Sequence, residues 1–243
     1  MQTQEVVVKN KQKSISRLLL LLVFVCAAFW ILPFISGNIL SGIWPLAFLA
    51  FFLDVVFLAT ALIFRSRSRK MDELFSNKEL LMRWTLSDEM LEAYAAHQKR
   101  KSREKNQAIM KVFGILFTVI TVPFLFFLEK DELMPFLFIL FSIFGVVFLF
   151  SVLMPVYYYR LNLKSDKQIL IGKKYAYING IFHNWDFPLS GLKKVKVMRN
   201  PFYGLSFTYY YTDRTWKNSE ELEIPAPATI NLNLLAEQLR ANN

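Results

Sequence analysis

The chain has 243 residues, of which 54% are hydrophobic and 24 are phenylalanine. A soluble core of this size needs less apolar surface, so the composition indicates an integral membrane protein. The single cysteine, Cys26, excludes an intrachain disulfide framework and a cysteine-ligated metal site. The formal net charge of +10 fits either nucleic-acid binding or basic segments beside a membrane, and the positions of the charges decide between them.

Four segments are long and apolar enough to cross a hydrocarbon core, which takes roughly 20 helical residues. They are approximately residues 18–35, 43–64, 112–128 and 135–158. The short turns "SGNILSG" and "EKDEL" join them in pairs, which predicts two transmembrane hairpins. The first segment lacks a small-x-small cleavage site and is followed at once by a second span, so we expect a retained helix and not a signal peptide.

The basic residues predict the orientation of these spans. A cytoplasmic N-terminus leaves only Lys130, of 29 Lys and Arg, on the outer side. The positive-inside rule therefore predicts a multi-pass protein of the cell (inner or plasma) membrane with both termini in the cytoplasm. The predicted order is a basic cytoplasmic N-terminus, a first hairpin, a helical basic cytoplasmic loop, a second hairpin and a cytoplasmic β domain, at residues 1–17, 18–64, 65–111, 112–158 and 159–243.

The central loop carries two helix-start signals. Ser76 followed by Glu79 matches a capping box, and Ser87 before two acidic residues matches an N-cap. We expect the second helix to run from Asp88 into the third span, with an apolar stripe of Leu91, Tyr94 and Ala95. His97 has no second histidine at ligand spacing and is interpreted as an ordinary polar helix residue.

A basic cluster follows the second span directly and consists of Arg65, Arg67, Arg69 and Lys70. One interpretation is contact with anionic lipid headgroups, and the alternative is that these charges only enforce topology. Nucleic-acid binding is not expected, because no RNA-binding, zinc-finger or basic-zipper signature accompanies the charges.

Asp54 lies in the middle of the second span, where a carboxylate is costly unless it has partners. Ala47, Ala50 and Ala61 share its helical face, which predicts that Asp54 faces another helix. The functional hypothesis is a proton or cation relay or a ligand contact, and the structural one is a hydrogen-bonded or oligomer-interface residue.

From about residue 160 the pattern changes to short alternating segments, typical of β-strands. The predicted strands are 158–163, 168–171, 174–178, 181–187, 192–199, 204–211 and 221–224, followed by a helix that buries Leu235 and Leu239. Asn179-Gly180 predicts a type I′ hairpin. These elements describe a small barrel or curved sheet capped by a helix.

The segments "YAYINGIFHNW", "PLSGLKKVKV", "YGLSFTYYY" and "LEIPAPATINLNLLAEQL" resemble the bacterial membrane-anchored pleckstrin-homology-like domains, especially the YcxB-like C-terminal type. The resemblance covers roughly the last 90 residues. It implies a pleckstrin-homology-like barrel and no catalytic residues.

A Ser-His-Asp arrangement of His183, Asp186 and Ser190 fails, because His183 and Asp186 have opposite parity on one strand. His183 is expected to pack at the edge of the core. A second basic cluster consists of Lys193, Lys194, Lys196 and Arg199, for which an anionic surface and a protected strand edge are the two interpretations.

The sequence thus favours a non-enzymatic membrane protein without a cofactor or metal, whose cytoplasmic domain mediates protein or membrane-surface interaction. The expected partners are the lipid bilayer, anionic lipid headgroups, and protein partners or a homo-oligomer. The alternative is a small transporter or channel component that uses Asp54.

Overall fold

The structure, a computed structural model, describes residues 10–36, 42–213 and 216–243. The predicted turn of the first hairpin, 36–42, falls largely outside these ranges. The elements in chain order are α1 (Lys11–Ser36), α2 (Trp44–Phe75), β1 (Leu80–Thr85), α3 (Asp88–Phe127), α4 (Lys130–Leu163), β2 (Gln168–Gly172), β3 (Tyr175–Ile178), β4 (Ile181–Asn184), β5 (Gly191–Met198), β6 (Gly204–Asp213), β7 (Trp216–Pro225) and α5 (Leu232–Ala241).

The first four helices are long and apolar enough to cross a membrane. α1 packs against α2 and α3 against α4, whereas contacts between the two pairs are sparse within the described residues. Large apolar side chains on these helices face outward, for example Phe48 at 74% and Phe127 at 84% exposure. Such surfaces need a lipid environment, so the chain is a multi-pass membrane protein.

Three of these helices continue past their apolar spans towards the sheets. α2 extends to Phe75, α3 starts at Asp88, and α4 ends at Leu163. The strand predicted at 158–163 is therefore wrong: these residues are the last turns of α4. Tyrosine-rich runs favour strands in isolation, but here a helix already formed through the span is propagated further.

Leu80–Thr85 form strand β1, which corrects the helix predicted from Ser76. Ser76 is the C-cap of α2, its hydroxyl donates to the carbonyl oxygen of Glu73 at 3.0 Å, and Asn77 has a φ of 63°. A polar residue with positive φ ends a helix and does not start one. Ser87, by contrast, caps α3 as predicted, and its hydroxyl accepts from the backbone N–H of Met90.

The strands form two antiparallel sheets with the orders β1-β2-β3-β4 and β5-β6-β7. Six of the seven predicted strands are present, as β2 to β7, and β1 comes from outside the predicted β domain. The inner core includes Trp84, Ile169, Trp185, Phe207 and Leu235. The predicted stripe of α3 and the closing helix α5 also bury side chains in this core.

The outer face of the four-stranded sheet is covered by the end of α2. Met71 and Leu74 of α2 pack against Leu170, Tyr177 and Phe182 in a second apolar cluster. All five residues of β2 are consequently buried, as in strands covered on both faces.

The turn between β3 and β4 rests on the end of α4. Asn179 and Gly180 have φ angles of 47° and 91°, which confirms the predicted type I′ geometry. The side-chain amide of Asn179 donates to the carbonyl oxygen of Asn162 at 3.0 Å. A Cβ on Gly180 would lie 2.4 Å from the hydroxyl oxygen of Ser165, so both conformation and space require glycine here.

A fragment of residues 159–243 is expected not to fold, because it lacks β1 and the core side chains Trp84, Leu86 and Leu91. Lys99 of α3 lies over the ring of Tyr159 of α4. Residues 66–102, which include the end of α2 that covers the sheet, can therefore be joined to 160–243 by a short flexible linker. We predict cooperative urea unfolding, followed by far-ultraviolet circular dichroism, only for the joined protein. Equal cooperativity in the shorter fragment would contradict the assignment of β1 to the fold.

Candidate functional site

The basic cluster after the second span divides between two faces of α2. Arg67 donates to the carbonyl oxygen of Phe182 at 2.9 Å, and Lys70 forms an ion pair with Asp186 at 2.7 Å. Burial raises the pKa of Asp186, but hydrogen bonds from Lys70 and Lys174 outweigh it and lower that pKa. Arg67 and Lys70 therefore fasten α2 to the sheet, and their contact with lipid headgroups stays a prediction.

Arg65 and Arg69 lie on the other face of α2, next to α1. Together with Lys13 and Arg17 of α1 they line a groove of about 430 Å³, which we call the basic groove. The i, i+4 spacing within each pair places both members on one helical face. Sequence reasoning missed Lys13 and Arg17 as site residues, although this shared spacing was the available signal.

A cavity of about 540 Å³, here called the junction cavity, lies between Arg67 of α2 and strands β4, β6 and β7. His183, Tyr209 and Glu220 form its polar wall. The Tyr209 hydroxyl donates to the Glu220 carboxylate, and His183 Nδ1 lies 3.3 Å from the Tyr209 oxygen. His183 reaches the core edge as predicted, yet it also lines a cavity that the sequence did not indicate.

Burial controls the electrostatics of the junction cavity. It lowers the pKa of His183 to about 4 against the influence of Glu220, and it lowers the pKa of Arg67. Burial together with the hydrogen bond to Glu220 raises the pKa of Tyr209. His183 is therefore neutral at physiological pH, while Arg67 keeps its charge without a carboxylate salt bridge among the described residues.

The residues of the rejected Ser-His-Asp arrangement belong to three separate networks. Ser190 holds the loop after β4 through the backbone of Trp185 and Phe187, and Asp186 pairs with two lysines. His183 contacts Tyr209 instead. Among the described residues, no group of three His, Cys, Asp or Glu side chains is placed to hold a metal ion.

A polar clamp joins α3 to β7. His97 Nε2 lies 2.7 Å from Glu223 Oε2, and Lys101 pairs with Glu223 and Glu221 at 3.0 and 3.2 Å. His97 also packs edge-on against Phe202. The prediction that His97 is an ordinary polar residue missed this contact, since its partner lies 126 residues away.

The second basic cluster is spread along strand β5, which pairs on one side only, with β6. Lys193, Lys194, Lys196 and Arg199 are exposed. Lys193 and Arg199 lie about 20 Å apart along an extended strand. The four residues therefore form a charged sheet edge, and Lys193, Lys194 and Lys196 line a groove of about 540 Å³ there together with Arg240 of α5. Arg199 lies beyond this groove.

Asp54 faces α1, as predicted. Ala47, Ala50 and Ala61 are buried on the same face of α2. Trp30 Nε1 of α1 donates to Asp54 Oδ2 at 3.4 Å. Oδ1 is buried without a hydrogen-bond partner among the described residues. The side chain thus links the two helices of the first hairpin with one long hydrogen bond.

The ends of β6 and β7 and the loop before β5 expose apolar side chains. Trp216 is 77% exposed, Leu189 74% and Tyr211 38%. The Thr212 hydroxyl donates to the carbonyl oxygen of Leu189 at 3.1 Å, which ties the loop to β6. We call Leu189, Tyr211 and Trp216 the apolar tip.

Comparison with known proteins gave no match. No protein-family model matches the chain. Neither the curated proteins nor the solved structures contain a significant match.

The buried neutral state of His183 predicts a pH dependence of stability. The unfolded chain binds a proton near pH 6.5 and the folded chain only near 4, so stability is lost as pH falls through this window. We expect the free energy of unfolding to drop by about 2–3 kcal/mol between pH 7 and 4.5.

Urea unfolding of the sheet domain, followed by tryptophan fluorescence in detergent, measures this drop. His183→Asn removes the titrating group and is expected to flatten the profile, whereas His97→Asn retains the His183 contribution. An unchanged slope in His183→Asn would show that another group is responsible.

Proposed function

We propose that this is a non-enzymatic membrane protein whose sheet domain lies in the cytoplasm and binds the anionic inner surface of the membrane that carries it. In this proposal both termini are cytoplasmic and the membrane is the cell membrane, in keeping with the distribution of Lys and Arg. The observation that carries the proposal is the height of the apolar tip relative to the apolar spans.

The clamp between α3 and β7 gives a first measure of that height. His97 pairs with Glu223 and Lys101 with Glu221, so β7 runs antiparallel to α3. The start of β7 therefore points in the same direction as the third span. Lys111, the last residue before the span, lies about 15 Å beyond Lys101 along the helix. Trp216 lies about 16 Å beyond Glu221 along the strand, which brings it to the same level.

The junction cavity gives a second, independent measure. Arg67 follows the end of the second span by one helical turn or less, and it lines the same cavity as Tyr211 and Thr212. The end of β6 therefore lies close below the boundary of the second span as well. Both hairpins thus support a position of the apolar tip at the membrane surface.

The chemistry of the tip suits this position. Tryptophan and tyrosine prefer the interface between headgroups and acyl chains, where an apolar ring and a polar edge are both satisfied. Lys217 follows Trp216 in the sequence, and its ammonium group lies 3.9 Å from the centre of the Tyr210 ring. A cation beside interfacial aromatic rings favours an anionic leaflet.

The two facing sheets and closing helix α5 also support the resemblance to pleckstrin-homology-like domains of the YcxB-like type, and we propose that the domain is a barrel of this kind. The candidate acid-base residues are tied into structural networks, which supports a non-enzymatic role. Protein partners or a homo-oligomer remain part of the proposal, as further contacts of the same domain or of the helices.

Transport remains a second candidate, because Oδ1 of Asp54 is buried without a described partner. The other polar side chains in the spans, such as Thr118, Thr121 and Ser142, bond to their own helix backbone. We therefore favour a structural role for Asp54. An ion flux into proteoliposomes that is lost in Asp54→Asn would favour transport instead.

Fluorescence of the full chain in lipid nanodiscs tests membrane contact by the tip. The emission of Trp216 is obtained as the difference between the native chain and Trp216→Phe. We expect lipids brominated near the headgroup to quench this emission, more strongly in anionic than in neutral bilayers. Trp84→Phe is the control, because Trp84 is buried at the opposite end of the domain, near the start of α3.

Quenching of the Trp216 emission by aqueous iodide but not by brominated lipid would overturn membrane contact. The exposed tip would then be available to a protein partner instead.

A further inference from the structure

The basic groove gathers four cationic side chains from α1 and α2. Lys13, Arg17, Arg65 and Arg69 form no ion pair with a carboxylate within residues 10–36, 42–213 and 216–243. The one acidic side chain that lines the groove, Asp72, lies at its end and accepts a hydrogen bond from the side chain of Asn10 at 2.8 Å.

Two contacts fix the walls of the groove against each other. The Ser16 hydroxyl of α1 donates to the carbonyl oxygen of Ala61 at 3.1 Å, and Asn10 donates to the carbonyl oxygen of Ser68 at 3.0 Å. Ser16 and Ser68 are buried. Four like charges therefore converge on one preformed space, although topology alone requires only that they lie on one side of the membrane.

The charges occupy two levels. Arg17 directly precedes the first span and Arg65 directly follows the second, so both lie at the membrane boundary. Lys13 and Arg69 lie one helical turn further from the spans, about 6 Å away. Leu20 lines the groove on the membrane side. From the membrane outwards, the groove is lined first by an apolar side chain and then by two levels of cations. A phospholipid has the same order, with acyl chains towards the membrane core and phosphates towards the water.

We propose that the basic groove binds the headgroup of an anionic phospholipid, with one phosphate between Arg17 and Arg65 and a second, where present, between Lys13 and Arg69. Guanidinium groups bind phosphate oxygens through two parallel N–H donors, and basic pockets between membrane helices suit such headgroups. The volume of about 430 Å³ falls in the usual range of small-ligand sites. This inference deepens the proposed binding to an anionic surface but uses residues remote from the apolar tip.

Native mass spectrometry of the full chain in detergent tests the groove. The probes are cardiolipin with two phosphates, phosphatidylglycerol with one, and zwitterionic phosphatidylcholine. We expect affinity to fall in that order. Arg65→Gln/Arg69→Gln is expected to weaken cardiolipin binding at least about tenfold, the effect of losing a charge-assisted contact.

The matched control is Lys105→Gln/Lys111→Gln, which removes the same charge beside the third span and leaves the groove intact. We expect less than a twofold change, and equal losses in both variants would overturn the groove as a specific site. Arg17→Lys/Arg65→Lys keeps the charge and the topology but removes the planar fork, and we expect an intermediate loss.

Competition with inorganic pyrophosphate separates a lipid from a soluble ligand. If millimolar pyrophosphate does not displace cardiolipin, the lipid assignment is supported. If pyrophosphate binds the groove as tightly as cardiolipin does, the lipid assignment is overturned. The Trp216 quenching experiment measures membrane contact of the apolar tip alone. Its result does not depend on whether the basic groove binds lipid, so the two proposals are tested separately.

Discussion

The structure depends on the packing of α2 against the outer face of the four-stranded sheet. Met71 and Leu74 cover Leu170 and Phe182 there, and without them strand β2 would expose an apolar face. One face of this sheet packs in the inner core, and the other face needs a second apolar element to cover it. The end of α2, which continues from a membrane span, covers that face. The Lys70–Asp186 ion pair then fixes where along α2 the sheet sits.

The same principle extends to the second hairpin. α3 contributes Leu91 and Tyr94 to the inner core and is clamped to β7, while the end of α4 holds the β3–β4 turn through Asn162. Since the hairpins contact each other little within the described residues, the sheet domain is the element that joins them. A change in the distance between the hairpins would therefore change the packing of the sheet domain. The distance of the sheet domain from the spans follows from its attachments to α2, α3 and α4.

Local patterns predicted much of this fold. Hydropathy predicted the four spans, and alternation of apolar and polar residues predicted six strands. Turn and capping chemistry predicted the Asn179-Gly180 turn and the Ser87 cap. β1 escaped because its partner is remote: Thr85 pairs with Gln168, 83 residues away, with a whole membrane hairpin between. Arg67 and Lys70 looked like free surface charges for the same reason, since their acceptors lie on β4 and the loop after it. The i, i+4 spacing of the basic residues on α1 and on α2 indicated one basic face on each helix. That both faces line the same groove depends on how the two helices pair, which the spacing does not show.

Pulsed electron resonance distances measure most directly whether the sheet domain is rigidly attached to both hairpins. In a Cys26→Ser background, spin labels at Glu237 of α5 are paired with labels at Phe48 of α2 or Met134 of α4, all exposed positions. A pair at Glu92 and Glu237, within the domain, gives the reference width. Attachment predicts a single distance for each hairpin as narrow as the reference, and broad or multiple distances in nanodiscs would contradict it.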